Sequence, residues 1–240
     1  MKPTQTLFRR SVSLFYMSND EAMRIVIKAS EIVENFLYPN DMYNKKKANS
    51  VTLNLTSRNL TAPVVVDSSK DDEFVLHLSP SIMEEQNFRH AILLALHQGV
   101  ARIWLWDSKG NALHNLINGI VEYITSNSSV FGTKSNPNKV EPSASTTTCW
   151  KHDDTKVVAE FLNYGEHSRP GFIRRLNQAM RDGWLEGKLD IALGMPVQNL
   201  CTRHYYSKYN FSTHWIISSS IGILQQFFIW IRLVIQHDHM

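Results

Sequence analysis

The order of the sequence patterns predicts an α+β protein. Three short strand patterns lie together between residues 51 and 78, and helical periodicity dominates the chain on either side of that block. Hydrophobic residues make up 43% of the 240 residues and charged residues 20%, which supplies a sizeable core and excludes a disordered chain, a collagen or a disulfide scaffold.

Ser18 and Glu21 have the spacing of a capping box. Ile25, Ile32, Val33 and Phe36 then recur at helical intervals, so a helix is expected over about 20–37, stopped near Pro39. Lys45-Lys46-Lys47 reads as part of a solvated loop, with an anion-binding patch as the functional alternative. Val51, Leu53 and Leu55 alternate with polar residues, the period of a strand with one buried face. Val64-Val65-Val66 is a second strand pattern, followed by a turn over 67–72, and 74–78 is a third, closed by Ser79-Pro80.

Asn87 can cap a long helix from Phe88 to about Trp106, with Ile92, Leu96, Val100 and Ile103 on its apolar side. Asp107 to Gly110 breaks it, and a second helix over about 112–125 should pack beside it. Residues 126–148, poor in large apolar groups, read as an exposed loop. Further helices are expected over about 154–164, after Ser168 as cap with Pro170 near the start, and from Met195-Pro196 to about Tyr209.

The formal net charge of +3 does not argue for a nucleic-acid partner. Cys149 and Cys201 permit one bridge, although a reduced pair is the simpler reading of the sequence. Arg9 and Arg10 interrupt the one apolar stretch near the start, so no secretory signal is seen and cytoplasm or nucleus is the expectation. Asn-x-Ser/Thr triplets stand at Asn54, Asn127 and Asn210. Trp215 to Ile235 is long enough to span a bilayer, but Gln225, Gln226 and Arg232 lie inside it. A membrane span and an accessory helix both stay open for that tail. The division expected is a flexible N-terminus over 1–19, one domain over 20–209 and an atypical hydrophobic tail over 210–240.

Three blocks carry a family resemblance: LALHQGVARIWLWDSKGNALHNLINGIVEYI at 94–124, CWKHDDTKVVAEFLNYGEHSRPGFIRRLNQAM at 149–180 and FVLHLSPSI at 74–82. The chain resembles the plant basic secretory proteins, a peptidase family of plants and bacteria. The resemblance implies a zincin-like fold, with a small mixed sheet packed on a long central helix and further C-terminal helices behind it. It also implies that 74–82 is the edge strand before the active-site helix.

Members of that family are thought to be zinc peptidases of the His-Glu-x-x-His type. Two His at i and i+4 share a helix face and bind zinc, while the Glu activates the metal-bound water. Here the stretch reads Gln98-Gly99-Val100-Ala101-Arg102. Aligned through the tryptophans, Gln98 and Arg102 replace the two His and Gly99 replaces the Glu. In the next helix Asn118 stands for a Glu and Glu122 for an Asp. A guanidinium stays protonated and cannot ligate zinc.

His97 is one residue off the motif, about 100° around the helix, and His90 lies two turns before it. With both metal-binding His replaced, a salt bridge from Arg102 to Glu122 is expected in place of the metal, with Gln98 and Asn118 completing a polar network. His77, His97, Trp104, Trp106 and Tyr123 are the candidates for a surrounding cleft. The resulting expectation is a non-catalytic relative that keeps the fold and a polypeptide-binding cleft. Zinc is expected only under the alternative of a metallopeptidase with an atypical site, and a membrane-anchored interaction protein is the third reading. The oligomeric state is not legible.

Overall fold

The structure is a computed structural model and describes residues 19–39, 45–70, 72–126 and 149–203. Helix α1 (Asn19–Leu37) precedes strands β1 (Ser50–Leu55), β2 (Val64–Lys70) and β3 (Glu73–Leu78). A 3-10 turn (Pro80–Glu84) leads into the long helix α2 (Phe88–Trp104) and then α3 (His114–Ser126). After a short 3-10 turn (Cys149–Lys151) come α4 (Thr155–Ser168), α5 (Phe172–Met180), α6 (Gly187–Leu193) and a last helix, α7, described over 197–203.

The sheet order is β1-β3-β2, with β1 parallel and β2 antiparallel to β3. The segment 74–82, whose family resemblance implied an edge strand, therefore supplies the centre of the described sheet. Alternation explains its role: Phe74, Leu76 and Leu78 are buried, while Glu73, Val75 and His77 lie on the other face. A central strand needs hydrogen-bonding partners on both sides, and β1 and β2 supply them. β2 also runs further than expected, because Asp67 and Ser68 continue the ladder opposite Val75 and Phe74 before Asp72 turns the chain with φ 66°.

Helix α2 lies across the buried face of the sheet, and α1 runs beside it in the same direction. Arg89 stands 3.9 Å from Glu21 at one end. At the other, the Tyr38 hydroxyl donates to the Trp104 carbonyl at 2.7 Å. Helix α3 packs on α4 through Gly119, where a Cβ would come within 2.3 Å of Val158 Cγ1. That glycine is needed for the close approach of two helices rather than for a turn.

Ser168 does not cap the following helix; it ends α4. Gly171, with φ 80°, occupies the cap of α5, and the Glu166 carboxylate accepts from the N–H groups of Gly171 at 2.6 Å and Ile173 at 2.9 Å. The first-turn donors are thus satisfied from the preceding helix rather than by the adjacent serine. Helix α6 has no counterpart in the sequence reading, since only seven residues carry its periodicity. The serine of the capping pattern before α1, the long loop and the apolar tail lie outside the described residues. Among the described residues no helix is long and apolar enough to cross a membrane.

Cys149 and Cys201 form a disulfide, with Cα atoms 5.8 Å apart across 52 residues of sequence. This corrects the expectation of a reduced pair. Both residues are buried, so the bridge ties α7 to the turn before α4 inside the core. Closing so long a loop restricts the unfolded chain, and the double variant Cys149→Ser/Cys201→Ser should lose about 2–4 kcal/mol. Urea unfolding of the oxidised wild type and of the variant measures it, and equal midpoints would count against the bridge.

Candidate functional site

The degenerate motif sits in the second half of α2, where two faces of the helix have different fates. Gly99 faces the sheet. A Cβ there would meet Leu76 Cδ2 at 2.7 Å and Val64 Cγ2 at 3.1 Å. Leu76 is fully buried, so its side chain has little room to yield. The place that the resemblance gives to a water-activating carboxylate is therefore the contact between helix and sheet.

Arg102 and Asn118 are brought together. The guanidinium donates from Nη2 to Asn118 Oδ1 at 2.6 Å, and burial lowers its pKa from the usual value. The expected bridge to Glu122 does not form: among the described residues no acidic oxygen lies within ion-pair distance of Arg102. Arg102 is in the last turn of α2 and Asn118 in the second turn of α3, close to the link between the helices. Glu122 stands one turn further along α3, about 6 Å by rise, so the cation meets the nearer amide first.

The end of α2 carries a polar scaffold that periodicity did not reveal. Asn177 of α5, fully buried, donates to Tyr38 Oη at 2.9 Å and accepts from the Trp106 N–H at 2.9 Å. That second bond takes the donor which would otherwise continue the helix, and Leu105 turns extended. The predicted helix to Trp106 therefore stops at Trp104. Burial pushes the Tyr38 hydroxyl up to about 12, against the opposing hydrogen bond from Asn177, so it is a neutral donor. An Asn within an amphipathic helix gives little signal of this kind.

Two lysines of the run, Lys45 and Lys46, are engaged by the domain, while Lys47 is exposed in irregular chain. Lys46 Nζ donates to the Leu105 carbonyl at 2.7 Å and stands 5.4 Å from the rings of both Phe74 and Trp106. Burial pushes its pKa down to about 8, opposed by Asp107 and Asp72. Lys45 pairs with Glu34 and lies 5.2 Å from the Trp104 ring. Both cations close the carbonyl end of α2, the end that attracts positive charge.

None of the residues expected to surround a cleft lines the groove found along the first half of α2. Trp104 is buried edge-on to Tyr38, with centroids 6.4 Å apart, and Tyr123 is buried 6.2 Å from Phe36. Trp106 is packed against the core under Lys46. His77 lies on the outer face of the sheet, with Nε2 3.2 Å from Asp67 and Nδ1 3.1 Å from Asn54 Nδ2. His97 is half-buried, and burial together with the nearby His90 pushes its pKa down to about 4.

That groove has a volume of about 550 Å³. Ala91, Leu94 and Ala95 line it from the helix, and Pro63 and Ile82 face them. Asn87, His90 and Gln98 bring polar groups to it. Gln98 is the one member of the degenerate motif that reaches this space.

Zinc does not fit the motif positions. They offer two amides, a glycine, one carboxylate and a cation already bonded to one of those amides. Among the described residues no group of three His, Cys, Asp or Glu side chains is placed to hold a metal ion. Cys149 is consumed in the disulfide and offers no free thiol.

Residues 8–205 match the family described as BSP, peptidase of plants and bacteria. That covers well over half of the chain, which thus belongs to this family, as a divergent member without the zinc motif. No curated protein and no solved structure matches it.

Two measurements follow from this geometry. Ala normally stabilises an exposed helix glycine position by about 0.5–1 kcal/mol. At Gly99 the sign should reverse, Gly99→Ala costing about 1–2 kcal/mol through overpacking against Leu76 and Val64. A stabilised variant in urea unfolding would refute the contact. For His97 the folded pKa of about 4 lies below the unfolded value of 6.5. Its contribution is therefore complete above pH 6.5 and falls away as the pH drops towards 4, by on the order of 2 kcal/mol once solvent screening of this half-buried ring is discounted. Stability measured across that window should fall less steeply in His97→Gln than in the wild type.

Proposed function

We propose that this protein is a non-catalytic member of its peptidase family, which retains a zincin-like arrangement of sheet and long helix and offers the groove along α2 to a polypeptide. One observation carries the reading: Arg102 is engaged by Asn118 while Gly99 is pressed on the sheet, so the motif positions serve helix packing and a helix-to-helix hydrogen bond. Peptide hydrolysis by the zinc route needs a base beside the metal-bound water. At position 99 a carboxylate would be driven between Leu76 and Val64, where an unpaired charge is costly.

The groove supports the binding half of the proposal. Its apolar side includes Leu94, 36% exposed, and its rim has amide and imidazole groups able to bond a peptide backbone. Fluorescent casein fragments are a suitable probe. The wild type should bind them without cleavage, insensitively to chelator, and the surface change Leu94→Asp should weaken binding at least about tenfold, or 1.4 kcal/mol.

The triple variant Gln98→His/Gly99→Glu/Arg102→His tests the catalytic half. It should be less stable than the wild type and should acquire no peptidase activity on the same fragments. Stoichiometric zinc in purified wild type, with casein cleavage abolished by chelation, would defeat the proposal.

A further inference from the structure

A further Asn-x-Thr triplet, Asn59-Leu60-Thr61, stands five residues after Asn54-Leu55-Thr56. It falls in the connection between β1 and β2, which is bounded by Leu55 and Val64. Asn59 and Thr61 are exposed, and no hydrogen bond holds the Asn59 amide among the described residues. Asn54 differs: it lies within β1, and its amide is engaged with His77. Leu60 N–H donates to Ser79 Oγ at 3.1 Å, which anchors the connection and leaves the asparagine beside it facing solvent.

The disulfide is an independent observation. A fully buried bridge between cysteines 52 residues apart belongs to the structural kind that forms in oxidising compartments. Such compartments in eukaryotic cells are also where Asn-x-Ser/Thr triplets on surface loops are glycosylated.

We infer that this chain carries an N-linked oligosaccharide on Asn59. In the transfer, Asn59 Nδ2 forms a bond to the first sugar's C1. The C1–O bond to a lipid diphosphate donor breaks, and the amide loses one proton as the lipid diphosphate leaves. The sugar would stand on the outside of the 56–63 connection, four residues before Pro63 at the groove wall. This differs from the cytoplasmic or nuclear expectation, which rested on the first residues of the sequence alone.

The test uses the full chain produced in plant cells with its own first residues. Free thiols are alkylated before reduction, and the protein is treated with peptide N-glycosidase A and digested with trypsin. Cleavage after Lys47, Arg58 and Lys70 separates Asn54 from Asn59. The inference expects aspartate at position 59 in the treated peptide, no alkylation of Cys149 or Cys201 before reduction, and loss of the band shift at this site in both Asn59→Gln and Thr61→Ala. An Asn59 peptide found only in its unmodified form overturns it, whether or not Asn54, Asn127 or Asn210 is occupied. So does full alkylation of both cysteines before reduction.

Discussion

At Gly99 the long helix has no side chain to hold it away from the sheet, and Leu76 and Val64 fill the space that a Cβ would need. That contact sets how closely α2 lies on β2 and β3. Val100, Ile103 and Leu96, on the same helix, are fully or almost fully buried as a consequence. Dispersion and burial favour such an approach because each ångström of separation forfeits contacts along the whole helix face. The same approach removes the position from chemistry, since a group acting on bound water needs an open space in front of it.

The other end of α2 is fixed by polar atoms rather than by apolar packing. Asn177 joins α5 to the residue after α1 and to the backbone just beyond α2, using both its donor and its acceptor. Ser108, buried nearby, donates to the Met180 carbonyl at 2.7 Å. Groups buried in this way would be expensive if unpaired, so they define where the helix must end and which neighbours must meet there. Lys45 and Lys46 complete the arrangement from outside, over aromatic rings.

Substitution at the motif has left a coherent structure instead of a damaged one. Arg102 does not strand its charge: it finds an amide on the adjacent helix, and that amide stands where the resemblance places an acidic group. A neutral acceptor offers the cation less Coulombic attraction than a carboxylate, but it costs less to desolvate. The open groove along the first half of α2 is separate from this packed region, and only Gln98 belongs to both. Open groove and close packing therefore fall on different stretches of one helix.

Local pattern was enough to place α1, the three strands, α2 and α3, because alternation and helical spacing record which face of each element is buried. It was also enough to show that zinc ligands are missing from the motif, since ligand chemistry resides in residue type. It could not tell that the strand before α2 is central, that Ser168 ends a helix rather than opening one, or that Arg102 selects Asn118 over Glu122. Nor could it pair Cys149 with Cys201 or find Asn177 among the amphipathic positions of α5. All but the Ser168 boundary, which a nearby carboxylate decides, depend on the distance between residues far apart in the chain. Periodicity reports the side of an element that avoids water; only the packed structure decides what that side meets.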